Sequence, residues 1–392
     1  MSGEHVLIAA FSGRSLAQSA RRAGFRPLVV DAFGDLDTRE AAEDIRVIEG
    51  AMTTGFRTKP LVAALEELSR SAAGKPIGLV LGSGLEDKTR LIAALASRFH
   101  LLGSDAETVR SCKDPVKFFA TLDRIGVAHP RTQTEPPTSP EGWISKRIGG
   151  SGGRHIRDCG SHTAPKPRQR RYFQQRLSGT RYSVGAVFSG SHTGGKPSTS
   201  FFLTRQWTAP CRTHPYRFGG CVSQPDIEPH LRSELIDIAI RAGDALKLCG
   251  MASFDFIVDA GKPFLLEVNP RPGASLDVLD STKGDMFQTH VAAWTGGKSS
   301  SHWPVTALPK AMAILHADRG ALVLGEPPWP NWSADRGASG TVVPKGAPLA
   351  SVLADGPTAD AAEALARQRL AELEDLIYEH ANPDPTGVQN GK

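Results

Sequence analysis

The stretch FDFIVDAGKPFLLEVNPRPG, residues 254–273, sets an aspartate, a glutamate and an asparagine inside two apolar strand runs and then enters Pro-Arg-Pro-Gly. Successive side chains of a strand point to opposite faces. Ala252, Phe254, Phe256 and Val258 therefore share one face, and Ser253, Asp255 and Ile257 the other. Ala260–Lys262 reads as a three-residue hairpin loop in which Gly261 supplies positive φ. That register pairs Asp259 with Pro263, sets Asp255 opposite Glu267 and Asn269 opposite Ser253, and sends Phe264, Leu266 and Val268 to the apolar face. Like charges directly opposed destabilise a sheet, and a divalent cation between them reverses the sign. Two carboxylates and an amide oxygen are hard ligands, and a phosphate-bound Mg²⁺ needs only one or two carboxylates. The competing reading is a solvated polar face. Arg271 carries the planar fork that suits phosphate, and Gly273 lets backbone approach a ligand closely.

Outward from the hairpin, 392 residues predict two to four packed units. The hydrophobic fraction of 40% and charged fraction of 22% are those of a soluble globular chain. No run of apolar residues is long enough for a transmembrane helix, so no membrane partner is expected. MSGEHVLIAAFSGRS lacks a basic leader and reads as a first strand. Five scattered cysteines without a CxxC pair fit a reducing cytoplasm. Cys211, His214 and Cys221 match no common zinc spacing. A net charge of +5 fits anionic ligands but is too dispersed to argue for nucleic acid.

Residues 5–104 alternate strand and helix signals (HVLIAA, SLAQSARRAG, RPLVVDAFGD, PLVAALEELSRSAA, IGLVLGSG, DKTRLIAALASRF), which predicts an α/β unit with a parallel sheet. Ligands sit at the carboxyl ends of such strands. Those ends carry Ser12–Ser15, Asp31 and Gly82–Asp87. The last lacks the third glycine of a dinucleotide fingerprint and reads as a tight turn near substrate or a plain loop. After a helix over 115–126 the pattern turns to β: WISKRI, RHIRDCG, YFQQRL, RYSVGAVFSG and FFLTRQW. A helix over 229–250, the hairpin, a small β-rich segment beyond about 300 and an amphipathic helix follow; the last dozen residues read as disordered. The expected units are 1–104, 105–180, 181–300 and 301–392.

A second cluster is WISKRIGGSGGRHI. Lys146 ends a strand, and Gly149, Gly150, Ser151, Gly152 and Gly153 follow. Such a run is often a flexible linker. Between two short strands and beside a lysine, its N–H groups can instead surround phosphate oxygens. GSHTGGKPS has Pro197 where a P-loop needs Ser or Thr, and TGGKSS lacks the distal glycine, so both read as turns.

Lys113, the Lys146–glycine loop and Asp255…Glu267-Val-Asn269-Pro-Arg271 together resemble the ATP-grasp superfamily of ATP-dependent ligases, over about residues 105–275. The N-terminal unit resembles that superfamily's preceding domain. The tail from Pro327 is similar to a subgroup of ATP-dependent carboligases, some associated with methanopterin or methanofuran pathways. The resemblance implies an ATP-grasp fold and an acid–amine ligase that uses ATP with one or two Mg²⁺ ions on small-molecule carboxylate and amine substrates. Lys113 (or its rival Lys117), Lys146 and the glycine loop would hold phosphates. Asp255, Glu267 and Asn269 would hold metal. Arg271, Lys146 and Arg205 would act on the reacting anions. Arg14 would hold a carboxylate, Glu86 or Asp87 an amine, with Gly273 and Asp277 nearby.

The sequence departs from the family at the hinge. A pattern like Glu-x-x-Leu-x-Gly-x-Glu is expected there, and Gln174-Gln175-Arg176-Leu177-Ser178-Gly179-Thr180-Arg181 stands instead. Gln174 can still hydrogen-bond ribose; Arg181 cannot accept from it. A catalytically degenerate site that binds nucleotide is thus an alternative. So is a nucleic-acid-binding module built on HTAPKPRQRRYFQQR, although a solvated loop is the plainer reading. Bicarbonate activation, as in biotin carboxylases, is a third possibility. The sequence leaves the oligomeric state open, a homodimer included.

Overall fold

The structure is a computed structural model that describes residues 3–160, 170–188, 200–296 and 307–383. Most of the basic run 162–176, all of GSHTGGKPS, the end of TGGKSS and the last nine residues lie outside the described residues.

Four strands, β1 (His5–Ala9), β2 (Arg26–Asp31), β3 (Asp44–Val47) and β4 (Leu79–Leu81), form a parallel sheet in the order β3-β2-β1-β4. β1 and β2 are apolar almost throughout because both faces are covered. Val6 and Ile8 pack with Leu16 and Ala20 on one side, and Leu7 and Ala9 with Leu61 and Leu65 on the other.

The helices Ala106–Lys113 and Pro115–Arg124 meet at Asp114, whose carboxylate caps the second by accepting from the N–H groups of Val116 and Lys117. An antiparallel sheet follows, β5 (Thr132–Gln133), β6 (Trp143–Arg147), β7 (Arg157–Asp158) and β8 (Arg171–Gln175), in the order β5-β8-β6-β7. The strand expected over RHIRDCG shrinks to Arg157–Asp158. Gly152 and Gly153 take left-handed φ, and Ile156 N–H turns back to donate to the Gly153 carbonyl.

The remaining strands are β9 (Thr180–Phe188), β10 (Ser200–Thr208), β11 (Phe218–Ser223), β12 (Gly250–Asp259), β13 (Lys262–Asn269), β14 (Lys310–His316), β15 (Leu322–Val323), β16 (Ser333–Ala334), β17 (Val342–Val343), β18 (Pro348–Asp355) and β19 (Asn382–Pro383). Eight of them form one sheet in the order β13-β12-β9-β10-β11-β14-β18-β16; the C-terminal strands thus extend the sheet that holds the hairpin. The helix Pro229–Ala245 covers one end of its back face, packing Leu235, Ile238 and Ala242 on Val184, Phe254 and Phe256. The helix Ala359–Glu379 covers the other, packing Ala362, Ala366 and Leu373 on Val222, Ala313 and Val352. On the front face Val187, Cys221 and Met251 meet Leu276 and Phe287 and, through them, the N-terminal unit. No helix among the described residues is long and apolar enough to cross a membrane.

The hairpin corrects one expectation and keeps another. Its loop has two residues, Ala260 and Gly261, at φ 49° and 78°, so Asp259 pairs with Lys262 rather than Pro263. A bulge between Asp255 and Phe256 then shifts the register by one, which restores Asp255 opposite Glu267 and Ser253 opposite Asn269. The price is paid in the apolar face: Leu265, not Phe264 or Leu266, joins Val268 in the core.

Candidate active site

Asp255 on β12 and Glu267 on β13 stand opposite each other, and Asn269 spans them. The Asn269 amide donates to Asp255 Oδ2 at 3.0 Å and Glu267 Oε1 at 3.5 Å, while its Oδ1 accepts from Lys113 Nζ at 2.6 Å. Gln206 Nε2 donates to Asp255 Oδ1 at 3.3 Å from β10. Burial and the facing Glu267 charge push the Asp255 carboxyl up to about 6. Burial also works to raise Glu267, but the charges of Lys113 and Lys146 outweigh it and hold that carboxyl below its usual range. A buried acid couple in this state fits a cation, which would remove the repulsion. Among the described residues no group of three or more His, Cys, Asp or Glu could hold a metal. An ion here would draw on the two carboxylates, with Asn269 joining them only once its amide turns Oδ1 from Lys113 toward the couple, and would complete its shell from phosphate or water, the habit of Mg²⁺.

Cations surround the couple. Lys146 is buried on β6, with Nζ over the Tyr172 ring and 3.5 Å from Gln174 Oε1. Burial pulls its pKa down, yet Tyr172 and Glu267 more than compensate and leave it raised. Lys113 ends its helix beside Asn269. Lys117 points away to Glu107, 2.8 Å distant at the surface. Arg181 faces the same side as Gln206, its register partner, and burial lowers its pKa.

The glycine loop is held by what surrounds it. A Cβ on Gly149 (φ 70°) would lie 2.6 Å from that of Asp87, and one on Gly153 (φ 71°) would lie 1.8 Å from the Tyr216 carbonyl oxygen. Phe218 N–H donates to the Gly152 carbonyl, so the segment 209–218 is strapped across the loop. His155, which the sequence reading missed, packs its ring under Gly150 and reaches the Ser151 carbonyl at 3.3 Å. Burial drives its pKa to about 3, so it is neutral. Its only sequence signal was an imidazole just past the glycine run.

Several expected site residues are occupied. Arg14 is buried, with Nη1 and Nη2 on Asp277 at 2.8 and 2.5 Å and Nε on Asp335 at 2.7 Å. Neither Arg14 nor Asp277 is free for a substrate: they pin the N-terminal unit to the hairpin exit and the C-terminal segment. Glu86 accepts from Arg271 Nε at 2.7 Å and from the N–H groups of Gly84 and Leu85, so this buried carboxylate already has its counter-charge and is not held open for an amine. Arg205 points to the back of the sheet, to Asp360 and Glu363 at 2.5 and 2.9 Å; its neighbour Gln206 faces the site instead. The pairing of β9 with β10, which opposes Gln206 to Arg181 and Arg205 to Tyr182, was the signal that separates them. Asp87 is exposed beside Gly149. A Cβ on Gly273 would meet Arg271 Nη1 at 2.9 Å. Gln174 is buried and donates to Thr132 Oγ1 at 3.1 Å, Gln175 is exposed and Leu177 half-buried. Cys211 Sγ lies 3.8 Å from His214 Nδ1, while Cys221 is buried within the sheet.

Residues 112–275 match an ATP-grasp domain family. No curated protein matches the sequence. Among solved structures, N5-carboxyaminoimidazole synthetase from Staphylococcus aureus in complex with ADP is 14% identical, with a TM-score of 0.66 over 94% of this chain and 97% of that one. The biotin carboxylase domain of Hydrogenobacter thermophilus 2-oxoglutarate carboxylase, with MgADP, ADP and bicarbonate, is 11% identical, with a TM-score of 0.68 over 97% and 90%. Biotin carboxylase from Campylobacter jejuni is 14% identical, with a TM-score of 0.64 over 97% and 91%. The fold is therefore the ATP-grasp fold, a parallel N-terminal sheet joined to a large antiparallel one, as the resemblance implied.

Proposed function

We propose, with the ATP-grasp fold as premise, that this chain is an ATP-dependent ligase that joins a carboxylate to an amine through an acyl phosphate. The observation that carries this reading is the couple Asp255–Glu267, spanned by Asn269 and flanked by Lys113 and Lys146. Lys113, Lys146 and the N–H groups of the glycine loop hold the phosphates of ATP. Asp255, Glu267 and Asn269 hold one or two Mg²⁺ ions, which when bound neutralise phosphate charge. The substrate carboxylate oxygen attacks the γ-phosphorus and ADP leaves. The amine then attacks the acyl carbon, phosphate leaves with the bonding pair, and the amine loses its proton to give the amide. Positioning and charge neutralisation account for most of the rate in such transfers. Arg271, oriented by Glu86 through Nε and by the Pro272 carbonyl through Nη1, offers Nη2 to the acyl phosphate. The ADP complexes of the similar structures support the nucleotide, and bicarbonate in one of them supports a small acid. The tail's resemblance favours a place in one-carbon coenzyme synthesis, the scattered cysteines favour the cytoplasm, and the dimeric biotin carboxylase domain among the similar structures favours a homodimer.

The test is ADP release from Mg·ATP with amino acids, tyramine-like amines and pterin or furan precursors. Release that requires both an acid and an amine is expected. The hinge favours one rival, a degenerate nucleotide binder, because Gln174 and Arg181 replace expected acids. Tight Mg·ADP binding without release for any pair would select it.

A further inference from the structure

Arg14 and Arg271, the arginines expected at the substrate end, are each tied to a carboxylate. Arg147 is different. It ends β6 and lines a pocket together with Lys113, Gly149, His155 and Glu267. Its Nε is buried with no hydrogen-bond partner. Its ladder partner is Arg171, a like charge whose own guanidinium is turned to the Ser145 and His155 carbonyls. The acid that feels the Arg147 charge is Asp87, on the loop that Gly149 packs against. An unpaired buried donor beside a like charge is costly, and an anion in the pocket removes both penalties.

Two anions enter this cleft on the ligase reading, on which the present step rests. Lys113 and Lys146 are compact point charges beside the acid couple, whereas the planar fork of a guanidinium grips either a carboxylate or a phosphate with two bonds, so the place of Arg147 decides which anion it takes. Lys146 faces Gln174 at the hinge; Arg147 lies two residues before Gly149, which packs against Asp87 on the loop of the N-terminal unit. We propose that Arg147 receives the carboxylate of the acid substrate at the seam between the glycine loop and the Gly82–Asp87 loop, and so sets acid specificity.

The full chain is first loaded with Mg·ADP and then titrated by calorimetry with acetate, succinate, glutamate and bicarbonate, with inorganic phosphate as a parallel arm. At least one carboxylate should bind. Arg147→Gln should weaken it by about tenfold or more, the loss of a charged hydrogen bond, while Mg·ADP affinity holds. Arg147→Lys, a charge without the fork, should fall between. An Arg147→Gln variant that loses Mg·ADP or phosphate but keeps the carboxylate would assign the residue to phosphate and overturn the proposal. No carboxylate binding to the loaded wild type, or binding that neither variant alters, would also overturn it. Failure of the wild type to bind Mg·ADP at all would instead bring down the ligase reading, and this step with it.

Discussion

Arg271 Nε donates to Glu86 Oε1 at 2.7 Å, and the pair joins the exit of the β12–β13 hairpin to the loop after β4. The Glu86 side chain is 4% exposed and that of Arg271 13%, so the ion pair lies almost wholly out of water. Burial alone would raise the Glu86 carboxyl, but Arg271 and Lys113 outweigh it and hold it low. The ligase reading needs Arg271 fixed over the reacting anions, and Glu86 fixes it.

Glu86→Gln leaves the arginine without its counter-charge. Breaking one side of a buried pair costs about 3–5 kcal/mol. The expected result is a urea midpoint lowered accordingly, with turnover falling more than Mg·ADP affinity, because Lys113 and Lys146, which hold the nucleotide on the ligase reading, are untouched.

Lys113 and Lys117 are one helical turn apart in sequence but separated by the Asp114 cap, and only Lys113 reaches Asn269. Lys113→Ala should weaken Mg·ADP by roughly ten- to a hundredfold, the loss of a charged contact. Lys117→Ala removes only an exposed pair with Glu107 and should leave affinity unchanged. Calorimetry on the two variants decides between them; equal losses would count against the assignment.

The N-terminal sheet carries a pH dependence of its own. Burial pushes Asp31 up to about 6 although Gly34 and Phe33 N–H groups donate to its Oδ1, and its Oδ2 is buried without a partner. Its folded pKa lies above the unfolded value of about 3.9. The contribution is therefore fully present below that value and is lost as pH rises through about 6. Asp31→Asn keeps the Oδ1 acceptor and removes the charge. Relative to wild type, the variant should gain stability between pH 4.5 and 7.5, by up to about 3 kcal/mol for a shift near two units. Denaturant midpoints across that range check it.

The acid couple and the glycine loop after Lys146 were legible because strand alternation and glycine runs are local signals. Asp255 opposite Glu267 was reached by two offsetting errors: the loop is one residue shorter than expected and a bulge makes up the difference. Which charges are already spent was not legible. Arg14 meets Asp277 and Asp335 across hundreds of residues of sequence, and Arg205 meets a helix more than 150 residues away. Such partners are set by packing, which no local pattern encodes. The same holds for His155, whose role depends on the loop folding over its ring.

The most direct measurement is Mg·ADP binding by calorimetry, with and without Mg²⁺, in the wild type and in Glu267→Gln. Affinity in the wild type should rise steeply with Mg²⁺, and the variant, folded and otherwise intact, should lose that rise. A variant whose binding responds to Mg²⁺ as the wild type does would contradict the assignment of the opposed carboxylates to a nucleotide-borne ion.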